Sequence, residues 1–597
     1  MPRHTTFADA IANAAVDQPT KGYTFQDMEG KETLFTYPRM AEETAARAAA
    51  MQAMGMQKGD RIGLIILEPE DFVLTFLAAI RIGVVPVPLY PPLSFGSLDA
   101  YAERTARVLR LSEARLLVAS SKLQNVLWSL VDAVPTLERL VKAEEIVGGG
   151  EFAGRQPVWP ELKGEDLCFL QYTSGSTADP KGVMVTHNSL LANCEGIIEH
   201  AMFITPENDV AVSWLPLYHD MGLIGFVLAP LCYAIPGVII PTVRFIKRPS
   251  VWLETIHKHR GTVSFGPNFA YALAAKKAKP EEMARWDLSC VKILGCGAEP
   301  IHADTMREFT EQFATHSKLP RNAIMPAYGM AEATLAISLK ISTETMQFDT
   351  VDVDHFAQTG EARPPAAGAV SYDHVSCGVA FPGHEVAAFA DNGERLSDGR
   401  EGELCVKGPS VTPGYYKNPE ATAATFRNGW LHTGDLGYIR NGQVFVTGRI
   451  KDLIILNGRN IHPQAVEWAA AEVEGVRKGN VVAFSRPGAS SEELVVVLET
   501  KEEDTSKLVA AVQQAVRREI SVAPVDVVCL KPGGLPKTSS GKLQRRKTRE
   551  MYLRNELVNN GDRTIGAGGD TVTLARHVAR SLWSRAKNGV LSRLGNN

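Results

Sequence analysis

The chain has 597 residues, more than one hydrophobic core accommodates, so at least two domains are expected. Hydrophobic residues make up 45% and charged residues 22%, the balance of a globular enzyme, and a formal charge of -4 argues against nucleic acid as a partner. The eight cysteines are scattered without a C-x-x-C pair, which argues against a disulfide framework or zinc site and for reduced thiols in a cytoplasmic protein. The opening MPRHTTFADAIANAAVDQ lacks a long apolar core and carries acidic residues, so it is not read as a signal peptide. No stretch has the apolar length of a membrane span.

Residues 40–54 are alanine-rich with polar positions at helical spacing, which predicts a surface helix. RIGLIILEP (61–69) is a short apolar run stopped by Pro69 and reads as a buried strand. DFVLTFLAAIRIG reads as a helix closed at Gly83, and VVPVPLYPP as strand and turn. The alternation recurs at LCFLQYTSG, DVAVSWLPL, GVIIPT and VKILGCGAE, which predicts a parallel α/β architecture. From about residue 378 the texture changes to short strands with Gly and Pro turns, the pattern of a barrel-like antiparallel subdomain. Past GRIKDLIILNGRN a small α+β unit follows, with AVEWAAAEV and KLVAAVQQAVRREI as helices and NVVAFS and ELVVVLE as strands. The expected division is a large domain over 1–450 and a small mobile one over 451–557. A glycine-rich linker and a basic amphipathic helix then occupy 558–597. Over 571–594 that helix either touches anionic lipid or an acidic partner, or is an ordinary helix docked on its own domain.

The most chemical stretch is QYTSGSTADPKGVMVTH (171–187). Its hydroxyls, glycines and Lys181 have the composition of a phosphate cradle, yet the order is not G-x-x-x-x-G-K-[ST], because the lysine precedes Gly182. Backbone N–H groups and hydroxyls in such a turn wrap an anion, and a lysine adds full charge. Taken alone, the same residues also describe a solvated surface loop.

Together with other motifs, this loop resembles that of the adenylate-forming superfamily of acyl-CoA ligases, luciferases and peptide-synthetase adenylation domains. WLPLYHDMGLIG (214–225) looks like the substrate-side motif. GCGAEP (295–300) and AYGMAEAT (327–334) look like the adenine-binding segments, and LHTGDLGYI (431–439) like the ribose-binding one. GRIKDLIILNGRNIHP (448–463) resembles the hinge, and LPKTSSGKLQRR (535–546) the late lysine loop. The resemblance extends to about residue 555 and implies that a carboxylate attacks the α-phosphorus of ATP, giving acyl adenylate and pyrophosphate. It assigns Thr173, Ser174, Gly175, Ser176, Thr177 and Lys181 to the phosphates. Gly297, Ala298, Glu299, Tyr328, Gly329, Met330 and Ala331 fall to the adenine side. Asp435 and Arg449 fall to the ribose, and Glu332 to Mg²⁺. Lys542 and His219 join Glu332 as catalytic groups, and Lys451 with Asp452 forms the hinge. Any one of these alone could be a turn cap or a solvated charge; the ordered set carries the reading.

Two features bear on the substrate and the acceptor. The Asp that pairs with an amino acid's ammonium in this family has a counterpart in Asp220, but the HDMG wording resembles the fatty-acid branch. The apolar FVLAPLCYAIPGVIIP that follows suits an alkyl chain, with Trp214, Met221, Ile224 and Phe269 as candidate tunnel residues. Between Glu332 and Gly378 the chain is longer than acyl-CoA ligases need, and about 340–377 resembles the insertion of fatty acyl-AMP ligases. That implies transfer to an acyl carrier protein supplied in trans instead of to free CoA. The alternatives are a tolerated surface loop in a long-chain acyl-CoA synthetase, or a non-catalytic nucleotide- or lipid-binding relative.

Overall fold

Runs rich in Val, Ile and Leu bounded by Gly and Pro form the central sheets. The computed structural model describes residues 4–92, 98–147, 154–173, 180–456, 459–488, 492–520, 522–538 and 542–557. Ser174, Gly175, Ser176 and Thr177 of the phosphate loop, and the whole of 558–597, lie outside the described residues.

A nine-stranded sheet carries the site. Its parallel centre aligns Ile324–Gly329, Ile293–Cys296, Val263–Gly266, Ala211–Ser213, Gly237–Ile239 and Gly22–Gln26. Antiparallel strands flank it at both ends. A second sheet of four parallel strands joins Val85–Pro88, Arg61–Ile65, Ala114–Ala119 and Arg139–Lys142. The strands are almost wholly buried, as expected where helices cover both faces of a parallel sheet. One extensive core cluster runs through this region. The expected mixed α/β fold, with a large N-terminal and a smaller C-terminal domain, is what the chain adopts.

Two expectations need correcting. Leu167–Thr173, read as part of the parallel alternation, pairs antiparallel with Lys181–Thr186 in a separate two-stranded ribbon. An apolar run identifies a buried strand but not the direction of its partner, and a short connection returns the chain beside itself. The helix Tyr37–Ala53 keeps an outer face at Arg39, Glu42 and Ala53 but is more deeply seated than its composition predicts: Ala48, Ala49, Ala50 and Met51 are buried, and so is Arg47. That guanidinium lies 2.5 Å from Glu43 and 2.8 Å from Asp71, the pairing a buried cation requires.

From Glu385 onward five antiparallel strands form the barrel-like sheet, which includes Gly402–Lys407, Trp430–Arg440 and Gln443–Arg449. The short turn Ile450–Asp452 follows. Beyond it a three-stranded sheet, Val476–Pro487, Glu492–Thr500 and Asp526–Leu530, packs under the helices Pro463–Ala471 and Ser506–Ile520 around its own core.

Residues 340–377 fold back as the hairpin Phe348–Asp352 with Ser371–Val375, joined through the helix Val353–Thr359. This unit is anchored below by Asp349, whose carboxylate accepts from Tyr438 at 2.8 Å and from Arg440 at 2.7 Å. On its other side it meets the small domain. Asp354 lies 2.5 Å from Arg459, and Tyr372 stacks on Trp468 with ring centroids 5.6 Å apart and planes 10° apart.

Candidate active site

The candidate residues sit where the parallel strands end. Trp214 follows Ala211–Ser213, Phe269 follows Val263–Gly266, Gly297–Glu299 follows Ile293–Cys296, and Tyr328 closes Ile324–Gly329. Ligands of open α/β sheets bind outside these carboxyl ends, where loops diverge. A cleft of about 3220 Å³ opens there, walled by the sheet, the barrel-like unit and the small domain.

The turn after Tyr328 is exceptionally tight. A Cβ on Gly329 would stand 1.9 Å from the Leu335 carbonyl, so no larger residue fits this fold. Ala298 takes a left-handed φ of 68°, which turns the chain into Glu299. The Glu299 carboxylate accepts from the Phe269 backbone N–H at 2.7 Å, and burial raises its pKa. Met330 and Ala331 line the cleft beside them.

Asp435 and Arg449 face each other across paired strands, with Arg449 Nε 3.1 Å from Asp435 Oδ1. Tyr328 donates its hydroxyl to the other oxygen at 2.8 Å. Burial raises the Asp435 pKa, against the pull of Arg449 and the Tyr328 hydrogen bond. A carboxylate accepts about four hydrogen bonds, so this one keeps acceptor capacity for a ligand hydroxyl.

Thr173 and Lys181 are cross-strand partners at the base of the phosphate loop. The Lys181 ammonium lies 4.8 Å from the centroid of the Tyr415 ring, and Tyr415 donates its hydroxyl to Glu332 Oε1 at 2.7 Å. The main chain is fixed as well, because Thr412 donates both its N–H and its hydroxyl to the Glu332 carbonyl. Burial raises the Glu332 pKa, against the Tyr415 hydrogen bond.

Lys542 comes from the small domain, in a turn closed by two bonds to Thr538: Lys542 N donates to Oγ1 at 3.0 Å, and Thr538 N to the Lys542 carbonyl at 2.7 Å. Burial lowers the pKa of its ammonium, while Asp220, Glu299 and Asp435 draw it back up. All three carboxylates line the cleft that Lys542 enters from the small domain. His219 Nδ1 lies 2.6 Å from Asp220 Oδ1. Burial would raise the Asp220 pKa, but His219, Lys542 and the Met221 N–H outweigh it and hold it low.

The hinge candidates Lys451 and Asp452 occupy the turn Ile450–Asp452, and both line the cleft. Of the tunnel candidates, Trp214 stacks flat on Phe245 at 3.6 Å and meets Phe269 edge-on at 6.3 Å. Trp214, Met221 and Phe269 line the cleft. Ile224 is fully buried among core residues, and Gly222, Gly225 and Phe226 line the cleft around it.

The sequence motif model for AMP-binding enzymes matches residues 11–416, which is most of the chain and includes every large-domain motif before the ribose segment. The chain belongs to the AMP-binding enzyme family. Among similar AMP-binding enzymes is a Caulobacter vibrioides protein provisionally assigned as an acyl-CoA synthetase, 35% identical over 87% of this chain and 90% of its own. JamA of Moorena producens, a medium-chain fatty acid–acyl-carrier-protein ligase, is 30% identical over 93% of this chain and 96% of its own. A solved structure from work on fatty acyl-adenylate ligases of E. coli and L. pneumophila superposes with a TM-score of 0.85 at 32% identity. It covers 92% of this chain and 98% of that one.

Sequence reasoning passed over two groups of this AMP-binding enzyme. Tyr415, in the stretch of short strands and Gly and Pro turns, was assigned no role, yet it links Lys181 to Glu332. Arg545, three positions after Lys542 in LPKTSSGKLQRR, was assigned no role, yet it joins two carboxylates. Only the contacts reveal either role, because no local pattern distinguishes a bridging residue from its neighbours.

Proposed function

We propose that this AMP-binding enzyme activates a medium- or long-chain fatty acid as acyl adenylate and passes the acyl group to the phosphopantetheine thiol of a carrier protein. The observation that carries this reading is that Lys542 of the small domain lines the same cleft as Asp220, Glu299 and Asp435 of the large domain. A fatty carboxylate oxygen attacks the α-phosphorus of ATP. The bond from that phosphorus to the bridging oxygen breaks, and pyrophosphate leaves. Two anions must meet, so fixed positive charge and alignment supply most of the catalysis.

Lys542 bridges the incoming carboxylate and the α-phosphate. His219 pairs with Asp220 and so screens a charge that would repel the substrate. Asp435, oriented by Arg449, accepts the ribose hydroxyls, and Tyr328 with Gly297, Ala298 and Glu299 flanks the adenine. Thr173, Lys181 and the intervening loop grip the phosphates that depart. Glu332 suits a hard divalent cation, since it is a buried carboxylate that lines the cleft beside Lys181, and Mg²⁺ there would screen the phosphates.

The substrate reading is supported by the cleft wall and by Asp220. With His219 already 2.6 Å away, Asp220 is not waiting for an ammonium, whereas Trp214, Met221 and Phe269 offer an alkyl chain apolar surface. The carrier acceptor is supported by 340–377, whose Asp354 and Tyr372 hold Arg459 and Trp468 of the small domain. A long-chain acyl-CoA synthetase is the second reading, favoured by the provisional assignment of the Caulobacter relative. The basic segment 571–594 is proposed as a peripheral contact with anionic lipid or an acidic partner.

The activity is tested by pyrophosphate release that depends on both ATP and dodecanoate. Lys542→Ala is expected to abolish release while nucleotide binding persists; release at the unsubstituted rate would remove Lys542 from this role.

A further inference from the structure

Glu332 sits in a turn of only three residues, Ala331–Ala333, which by itself fixes little. The residue that follows, Thr334, is buried and takes φ 69° and ψ -63°, a strained conformation for a β-branched side chain. A distant stretch, SVTPGYY (410–416), holds both. Thr334 donates its hydroxyl to the Ser410 carbonyl at 2.7 Å. Thr412 donates its N–H at 2.9 Å and its hydroxyl at 3.0 Å to the Glu332 carbonyl. Tyr415 then donates its hydroxyl to the Glu332 carboxylate at 2.7 Å.

The same stretch is bound to the ribbon that carries the phosphate loop. The Met184 N–H donates to the Gly414 carbonyl at 3.0 Å, and the Tyr416 N–H to the Gly182 carbonyl at 2.8 Å. Between these two bonds Tyr415 forms an antiparallel bridge with Val183. Lys181, the first residue of that strand, places its ammonium over the Tyr415 ring, 4.8 Å from the centroid. The ring is only 5% exposed, packed with Val183 and Ala331 and met edge-on by Phe426 at 6.1 Å. One buried side chain therefore takes a cation on its face and a carboxylate at its hydroxyl. Its main chain is tied to the strand of the first, and through Thr412 to the turn of the second.

We propose that Tyr415 is a positioning residue that holds Glu332 and Lys181 in one fixed arrangement, so that the carboxylate for the divalent cation and the ammonium for the departing phosphates serve the same triphosphate. This role rests on the parts given to Glu332 and Lys181 above and adds the side chain that couples them. A hydrogen-bonded partner orients a metal-binding carboxylate, and an aromatic face holds an ammonium through its quadrupole. The hydroxyl acts through Glu332 and the ring through Lys181, without contact to a reacting atom.

The two arms are separated in the full-length protein. ATP binding is measured calorimetrically without fatty acid, once with excess Mg²⁺ and once with EDTA, and dodecanoate adenylation is titrated with Mg²⁺. Tyr415→Phe keeps the ring beside Lys181 and removes the hydroxyl from Glu332. Its ATP affinity in EDTA should match that of the unsubstituted protein. The Mg²⁺ concentration for half-maximal adenylation should rise about tenfold, the low end of what losing a metal ligand's hydrogen-bond partner costs. The tightening of ATP binding by Mg²⁺ should shrink with it. Tyr415→Leu removes both arms, so the same Mg²⁺ shift should come with about threefold weaker ATP binding in EDTA, the size of a lost cation–π contact. An unchanged Mg²⁺ requirement in Tyr415→Phe overturns the role. So does an equal loss of ATP affinity with and without Mg²⁺ in both variants, which is what mere packing would give. Unsubstituted protein that binds ATP in this Mg²⁺-dependent way but forms no acyl adenylate overturns the activity reading, and the binding comparison still decides the role of Tyr415.

Discussion

At the residue scale the proposed reaction turns on one lysine in a buried place. Burial lowers the Lys542 pKa from the ordinary 10.5, and Asp220, Glu299 and Asp435 limit that fall. The ammonium is the form that draws two anions together, so adenylation should fail as pH rises through this lowered value, earlier than for an exposed lysine. The pH profile of kcat/KM for ATP reports the free enzyme, and its alkaline limb should belong to Lys542. Lys542→Arg, whose guanidinium stays charged, should retain only part of the rate but lose that limb. The same limb in both proteins would assign it to another group. Asp435 shows why such groups elude sequence reading. TGD alone equally describes a turn cap, and only the pairing with Tyr328 and Arg449 makes a buried carboxylate affordable there.

At the element scale the unit 340–377 touches the small domain, and the proposed function has it restrain that domain's movement. It offers an ion pair, Asp354–Arg459, and an aromatic stack, Tyr372 on Trp468. A stacked pair contributes about 0.5–1.5 kcal/mol beyond its buried area, enough to bias a rotation whose two states are close in energy. Tyr372→Ala should therefore loosen the small domain, seen as faster proteolytic cleavage around the turn Ile450–Asp452. It should also raise acyl-CoA formation relative to the unsubstituted enzyme. Unchanged cleavage and unchanged CoA use would mean that the unit does not restrain the domain. Its extra length was legible in the sequence because the flanking motifs fix where it begins and ends. Its partners were not, since Arg459 and Trp468 are distant in the chain. The ribbon Leu167–Thr173 with Lys181–Thr186 failed for a related reason: apolar periodicity reports burial, and strand direction is settled by the connection.

At the scale of the whole molecule the buried histidines set the response to acid. His187 is held down to about 4 by burial, against Asp166 and Asp9, with Lys58 adding to the depression. His374, packed between the inserted unit and the barrel-like sheet, is held down to about 3. Burial and the nearby His462 and Arg440 depress it, and Glu401 and Asp373 oppose them. Between these values and the unfolded value of 6.5 the unfolded chain binds more protons, so stability is lost as pH falls through that window. The slope is about 1.4 kcal/mol per pH unit for each histidine. Urea midpoints between pH 7 and 4 should fall, and His374→Gln should make the fall shallower, whereas an equal slope would assign the acid sensitivity to other groups. The large-scale plan was the most legible part of the chain. Its parallel strands, its antiparallel unit and its small α+β unit each have a distinct texture, and the ordered motifs fixed the family. What the texture could not convey was contact between residues far apart in the chain, such as Tyr415 with Lys181 and Glu332, or Arg545 with Asp452 and Glu467.

The most direct measurement of the central claim supplies the full-length protein with ATP, Mg²⁺ and labelled dodecanoate, and resolves the labelled products. Dodecanoyl adenylate should accumulate, persist when CoA is added, and be consumed when a phosphopantetheinylated acyl carrier protein is added. Efficient conversion to dodecanoyl-CoA, or no adenylate at all, would contradict it.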